Sequence, residues 1–281
     1  MSKNIKHIGE KTGKILVFGG CYSNLQSLIK LKELAEEEGI APENIIHTGD
    51  LIGYCASPVE CTDIVEEWGI HCIKGNVEEN ILSGSDDCGC NYVEGGRCEM
   101  FSRSWFPFAK DQVTSQNLAF LDKMPDQIDF IYAGKRVSVI HGSESYISEF
   151  IFKSTSWKIK QNNFDALDSD VILAGHCGIP FADEKDGKTW LNAGVIGMPA
   201  NDGTPFVWYL ILDDKNGFEY QFRKYEYDNF EANQLMMEHS LPWSYAETLM
   251  TGVWDNTEIL PEQETKETGI ALQLDKPLEV S

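Results

Sequence analysis

Four side chains that can ligate a metal ion stand at the ends of four apolar runs. Asp50 follows Ile45-Ile46-His47-Thr48-Gly49, and Asn76 follows the run 70–73 and Gly75. His141 closes the run 137–140, and His176 follows the run 171–174 and Gly175. A carboxylate, an amide oxygen and two imidazoles make a mixed O and N donor set. Such a set suits a mid-row divalent or trivalent ion, Mn, Fe or Zn, with room left for water. Taken singly, each residue has an ordinary reading: an Asp after a strand caps or turns, and a lone His is a satisfied core or turn residue. A fifth run ends at Gly19-Gly20 in the same way. Five strand-to-glycine ends predict convergence on one sheet edge, where open α/β folds keep their sites.

The elements that must position these residues follow from periodicity. The run 14–18 reads as a buried strand. Asn24 caps a helix in which Leu25, Leu28, Leu31 and Leu34 recur at helical spacing until Gly39. Ile45 to His47 is the next strand, and Pro58 opens a helix that ends near Trp68. Strands and helices alternating in this way predict βαβ units and a largely parallel sheet. The stretch 83–112 interrupts the rhythm and reads as a cysteine-containing insertion. It is a loop at Ser83-Gly84-Ser85-Asp86-Asp87-Cys88-Gly89-Cys90, followed by a docked aromatic cluster of Trp105, Phe106 and Phe108. A helix is expected over 115–124. The stretches 190–192, 206–212 and 218–225 read as strands of a second sheet, and helices are expected near 229–239 and 244–251. One domain therefore spans 1–254, and 255–281 lacks periodicity and reads as an extended acidic tail.

Composition excludes some partners. The chain has 281 residues and a net charge of −22. A nucleic acid or an anionic membrane surface needs a basic face, so neither is an expected partner. No apolar run is long enough to span a bilayer. The N-terminus has lysines but no apolar stretch before a cleavage site, which points to the cytoplasm. In that compartment the eight cysteines are expected as thiols or metal ligands rather than disulfides.

In order along the chain stand Gly20-Cys21-Tyr22-Ser23-Asn24, Gly49-Asp50-Leu51-Ile52-Gly53-Tyr54, Gly75-Asn76-Val77-Glu78, His141-Gly142-Ser143 and Gly175-His176-Cys177-Gly178-Ile179-Pro180-Phe181. These resemble, in the same order, the D-x-H-G-N, G-D-x-x-G-Y, G-N-H-D/E, H-G-S and G-H-T-H-x-P-F motifs of calcineurin-like metallophosphoesterases. The likeness is to the bacterial branch near small phosphodiesterases and diadenosine-tetraphosphatase-related proteins, and it covers roughly residues 13–252. It implies an α/β fold, a four-layer αββα sandwich of two mixed sheets. It also implies that Asp50, Asn76, His141 and His176 hold the second of the family's two metals.

The departures lie at the first metal. Where the motif places its Asp, its first His and its last His, this chain has Gly20, Tyr22 and Gly178, and Val77 stands in place of the proton-donating His. One ion can still lower the pKa of a bound water and polarise a phosphoryl oxygen, but it cannot clamp both the attacking and the leaving oxygen. The expected function is metal-dependent hydrolysis of a small phosphodiester or nucleotide, at reduced or altered activity, with Tyr22 offering a hydrogen bond to a phosphoryl oxygen. Two alternatives stand beside it: a non-catalytic descendant that binds a phosphate-bearing ligand or a protein partner, and a metalloprotein of other chemistry. The last uses the cysteines, since Cys21, Cys55, Cys88, Cys90, Cys98 and Cys177 all lie near the motifs. Cys88, Cys90 and Cys98 offer three thiolates for an additional zinc or iron if a fourth ligand joins them. Gap-filling by small polarizable thiols and reversible redox pairing are the other readings of the same residues.

Overall fold

The computed structural model describes residues 3–90 and 92–274. Among the described residues the strands are β1 (Ile5–Lys11), β2 (Ile15–Phe18), β3 (Ile45–His47), β4 (His71–Cys72), β5 (Gln127–Tyr132), β6 (Lys135–Ile140), β7 (Val171–Ala174), β8 (Phe181–Lys185), β9 (Lys188–Asn192), β10 (Val207–Asp213) and β11 (Glu219–Tyr225). The helices are α1 (Leu25–Glu37), α2 (Pro58–Trp68), α3 (Asn76–Ser83), α4 (Arg97–Gln112), α5 (Ser115–Lys123), α6 (Trp157–Leu167), α7 (Asn229–Glu238), α8 (Trp243–Thr251) and α9 (Glu262–Lys266).

The strands build two mixed sheets, one ordered β1-β5-β6-β7-β9-β8 and the other β11-β10-β2-β3-β4. Alternation along single strands shows why they stack. In β2, Ile15 and Val17 enter the core between the sheets, while Leu16 and Phe18 enter the core beneath α1 and α2. In β7, Val171 and Leu173 face the inter-sheet core, and Ile172 and Ala174 face a third core that includes Phe164 of α6. A strand covered on both faces reads as an unbroken apolar run, which is what these strands are in sequence. Three cores between four layers make the αββα sandwich.

Several boundaries differ from those expected. The exposed β1 pairs in parallel with β5, and neither has an apolar run strong enough to announce it. The three later strands do not form a sheet of their own: β9 lies between β7 and β8, whereas β10 and β11 extend the sheet of β2. The insertion is half helix, because α4 runs through Pro107 and buries Trp105 and Phe106. Residues 255–274 are docked. Asp255 pairs with Arg97, the Glu264 carboxylate accepts from Ser154 N and Oγ, and Leu272 N donates to Asp202. Polar contacts and a few scattered apolar side chains such as Leu260 and Leu272 hold this segment, with no periodicity to reveal it. Residues 275–281 of the expected tail lie outside the described residues. Among the described residues, no helix is long and apolar enough to cross a membrane.

Candidate metal centre

The four expected ligands come from both sheets. Asp50 and Asn76 follow β3 and β4, whereas His141 and His176 follow β6 and β7. All four are buried. His141 Nε2 is the hub: Asp50 Oδ2 is 3.2 Å away, Asn76 Oδ1 3.1 Å and His176 Nδ1 3.2 Å. Close backbone approach makes this possible. A side chain at Gly49 would put its Cβ 2.5 Å from His141 Nδ1, and one at Gly75 would put it 2.1 Å from Asp50 Oδ1. Asp50 (φ 60°) and His176 (φ 63°) both hold left-handed backbone conformations. For non-glycine residues these are costly and cluster at functional sites.

The hydrogen bonds fix which atoms face inward. His141 Nδ1 lies 2.7 Å from Thr48 O. A carbonyl can only accept, so Nδ1 carries the proton and Nε2 presents a lone pair when the ring is neutral. Asn76 Nδ2 donates to Cys88 O at 2.9 Å and to Cys90 Sγ at 3.3 Å, which turns Oδ1 toward His141. Three lone-pair atoms, Asp50 Oδ2, Asn76 Oδ1 and His141 Nε2, therefore meet in a buried space. Their repulsion is relieved by a proton on His141 or by a cation. Donor atoms a little over 3 Å apart fit around an ion with bonds of about 2.0–2.2 Å. The residues thus fit a divalent metal. Asp50, His141 and His176 are the one group of three or more metal-ligating side chains found among the described residues, with Asn76 beside them.

The electrostatics agree. Burial alone would raise the Asp50 pKa, but the charge and hydrogen bond of His141 hold it below its ordinary value. Burial alone would lower His141, yet Asp50, by charge and hydrogen bond, raises it. Burial, aided by the neighbouring His141, brings His176 down to about 3, which keeps its ring neutral.

Sequence reasoning missed Glu78. Its carboxylate accepts from Asp50 N (2.9 Å), Gly75 N (2.8 Å) and Ile52 N (3.1 Å), tying the Asp50 turn to the start of α3. Burial first and the Asp50 charge second push its pKa up to about 7. The E of Gly75-Asn76-Val77-Glu78 was the available signal.

At the first-metal positions the space is filled by rings. A Cβ at Gly20 would fall 2.4 Å from Tyr22 Cε1, and one at Gly178 would fall 3.2 Å from the Trp254 ring. Tyr22 is buried edge-on against Tyr54, their centroids 4.5 Å apart. Val77 contributes only its backbone N–H, 3.3 Å from Asp50 Oδ1.

The expected three-thiol site is not formed. Gly89 (φ 67°) folds the chain so that Cys88 and Cys90 lie 5.4 Å apart at Cα, and they are joined in a disulfide. That corrects the expectation of free thiols at these two positions. Cys98 is separate, its Sγ 3.4 Å from Asn256 Oδ1. Cys21 and Cys177 pack into core walls, as alternation at a strand end requires.

A four-layer sandwich with a buried carboxylate, amide and imidazole cluster at its joined strand ends is the architecture of a metallophosphoesterase. The chain belongs to the calcineurin-like phosphoesterase superfamily, whose domain matches residues 15–217. It is similar to an uncharacterized protein of Methanocaldococcus jannaschii, 26% identical over 260 residues, spanning 85% of this chain and 98% of that one. Its fold is similar to that of a metallophosphoesterase from Sphaerobacter thermophilus, with a TM-score of 0.67, 22% identity, and 86% of this chain and 100% of the other covered. A hypothetical protein from Pyrococcus horikoshii has a TM-score of 0.71 at 15% identity, covering 86% of this chain and 99% of its own.

Proposed function

We propose that this protein is a metal-dependent phosphoester hydrolase working with one ion, held by Asp50, Asn76, His141 and His176. Its substrate class is a small phosphodiester or nucleotide, and its place of action the cytoplasm. The observation that carries the reading is the meeting of lone pairs at His141 Nε2, with its other nitrogen committed to Thr48 O. When bound, the ion supplies a polarised phosphoryl oxygen and an activated water. Asp50 and His141 hold the charge there, and Glu78 fixes the Asp50 turn. Tyr22 lines the pocket beside Asp50, where its hydroxyl can donate to a phosphoryl oxygen. Val77 itself has no proton to give, and loss of a positioned acid costs about 10²–10⁴ in rate.

A second reading is a non-catalytic descendant that binds a phosphate-bearing ligand. The rings of Tyr22 and Trp254 at the first-metal positions favour it. Hydrolysis of bis(4-nitrophenyl) phosphate with Mn, Fe or Zn separates the two. The first reading expects slow, metal-dependent turnover that disappears in Asp50→Asn. Metal binding and phosphate binding without turnover support the second. Turnover that survives in Asp50→Asn contradicts the first.

A further inference from the structure

The pocket that opens onto the metal centre touches Asp50 and His176 on one side and is walled by Tyr22, Tyr54, Tyr92, Phe150, Tyr245 and Trp254 on the others. These rings hold one another in place. Tyr54 packs edge-on to Tyr22 and Tyr245, with centroids 4.5 and 4.9 Å apart, and its hydroxyl is 2.6 Å from that of Tyr92. Phe150 stacks on His176 at 4.2 Å, and the Trp254 indole is anchored by a 2.8 Å bond from Nε1 to Pro199 O. Rigid rings lose little conformational freedom when a ligand binds, so the walls are ready-made.

Charge narrows the occupant. Among the described residues no lysine or arginine lines the pocket, so none offers a second phosphate a counter-ion there. Of its two carboxylates, Asp255 is already paired with Arg97 through two bonds of 2.5 and 2.6 Å. Asp50 belongs to the ion. A cationic group would be attracted by tyrosine faces but repelled by a divalent ion a few ångströms away. A neutral ring fits the remaining chemistry, with stacking and edge contacts on every wall. The Tyr22 hydroxyl, on a residue only 6% exposed, lines the pocket and can meet one polar atom of the ligand.

We infer that this pocket is a subsite for a neutral planar aromatic group attached to a metal-bound phosphoryl group, so that the substrate class is an aryl or nucleobase-bearing phosphoester. Space that would serve a first metal in the family motif serves ring recognition here. The inference rests on the phosphoester reading of the metal centre.

The test is calorimetric titration of the full-length, Mn-loaded protein with inorganic phosphate, methyl phosphate, phenyl phosphate and phosphocholine. Phenyl phosphate should bind about tenfold more tightly than methyl phosphate. The ratio should fall toward one in Trp254→Leu and in Tyr245→Leu, both of which keep apolar bulk while removing a ring. Equal affinities, a ratio unchanged in both variants, or phosphocholine binding more tightly than phenyl phosphate overturns the inference. Phosphate that binds without any aryl preference overturns the subsite alone. If inorganic and methyl phosphate fail to bind while phenyl phosphate binds through the two rings, the subsite stands and the phosphoryl reading falls. If none binds, both fall.

Discussion

Replacing Gly20 by Ala tests how the first-metal half of the site is closed. The added Cβ would stand 2.4, 2.8 and 2.9 Å from Cε1, Cζ and Cδ1 of Tyr22. Carbon atoms in contact prefer about 3.5–4.0 Å, so the overlap is roughly 1 Å on one edge of the ring. Neither partner can step aside easily. Gly20 O accepts from Ile196 N and Gly197 N at 3.0 and 2.9 Å, and the Tyr22 backbone is bonded to Asp50 O and Cys55 N at 3.2 and 2.9 Å. On its far side the ring meets Tyr54. Overpacking of this kind costs about 1–3 kcal/mol, roughly 2 °C of Tm per kcal/mol in a chain of this size. The assay is a double-mutant cycle of Gly20→Ala with Tyr22→Ala, read by urea or thermal unfolding. With the ring absent, Gly20→Ala should cost almost nothing, leaving a coupling of about 1–3 kcal/mol. Additivity within about 0.5 kcal/mol would refute the claim that the Tyr22 ring occupies the Gly20 side-chain position.

Metal affinity should fall as the pH falls. Asp50 raises the His141 pKa, so a proton competes for Nε2 over a wider range, while Asp50 stays ionised and His176 neutral. Chelator competition should show a loss of about tenfold per pH unit below the His141 pKa; a flat profile would exclude His141 as a ligand. Cys90→Ala removes one acceptor of the Asn76 amide but leaves Cys88 O, so metal affinity should drop by about tenfold, near the lower end for groups that orient ligands. An unchanged affinity would show that Cys90 Sγ does not help to orient Asn76. His47 is fully buried with no partner for either ring nitrogen among the described residues, and its pKa is lowered to about 3 by burial first. A histidine with a depressed folded pKa charges more readily when unfolded, so stability is lost as pH falls from about 6.5 toward that value. His47→Leu should raise stability by about 1–2 kcal/mol at neutral pH and flatten the acid-side loss, and a lower Tm at both pH 7 and pH 5 would contradict this.

The candidate ligands Asp50, His141 and His176 were legible because each follows an apolar strand, β3, β6 or β7, that is covered on both faces, whereas Asn76 follows the two-residue β4. Convergence was expected on one sheet edge, but it is made by strand ends of two stacked sheets, β3 and β4 in one and β6 and β7 in the other. Glu78 stayed hidden because a buried carboxylate that serves three backbone N–H groups has no periodic signature. The disulfide stayed hidden for a related reason: a two-residue spacing closes only if the intervening Gly89 turns left-handed, a backbone fact rather than a compositional one. Strand β1 and residues 255–274 escaped because backbone pairing, polar contacts and isolated apolar residues such as Leu260, rather than periodic apolar runs, hold them. The sequence placed Gly20 and Gly178 at the vacated positions, but nothing in it could say that Tyr22 and Trp254 lie across them.

The most direct measurement is the metal content of the protein after loading with Mn or Zn and removal of free ion, taken beside Asp50→Asn and His141→Gln. The ring at Gly20 and the three donors around His141 Nε2 predict one ion per chain, lost in both variants. Two ions per chain, none, or one that persists in both variants would contradict a single metal centre at Asp50, Asn76, His141 and His176.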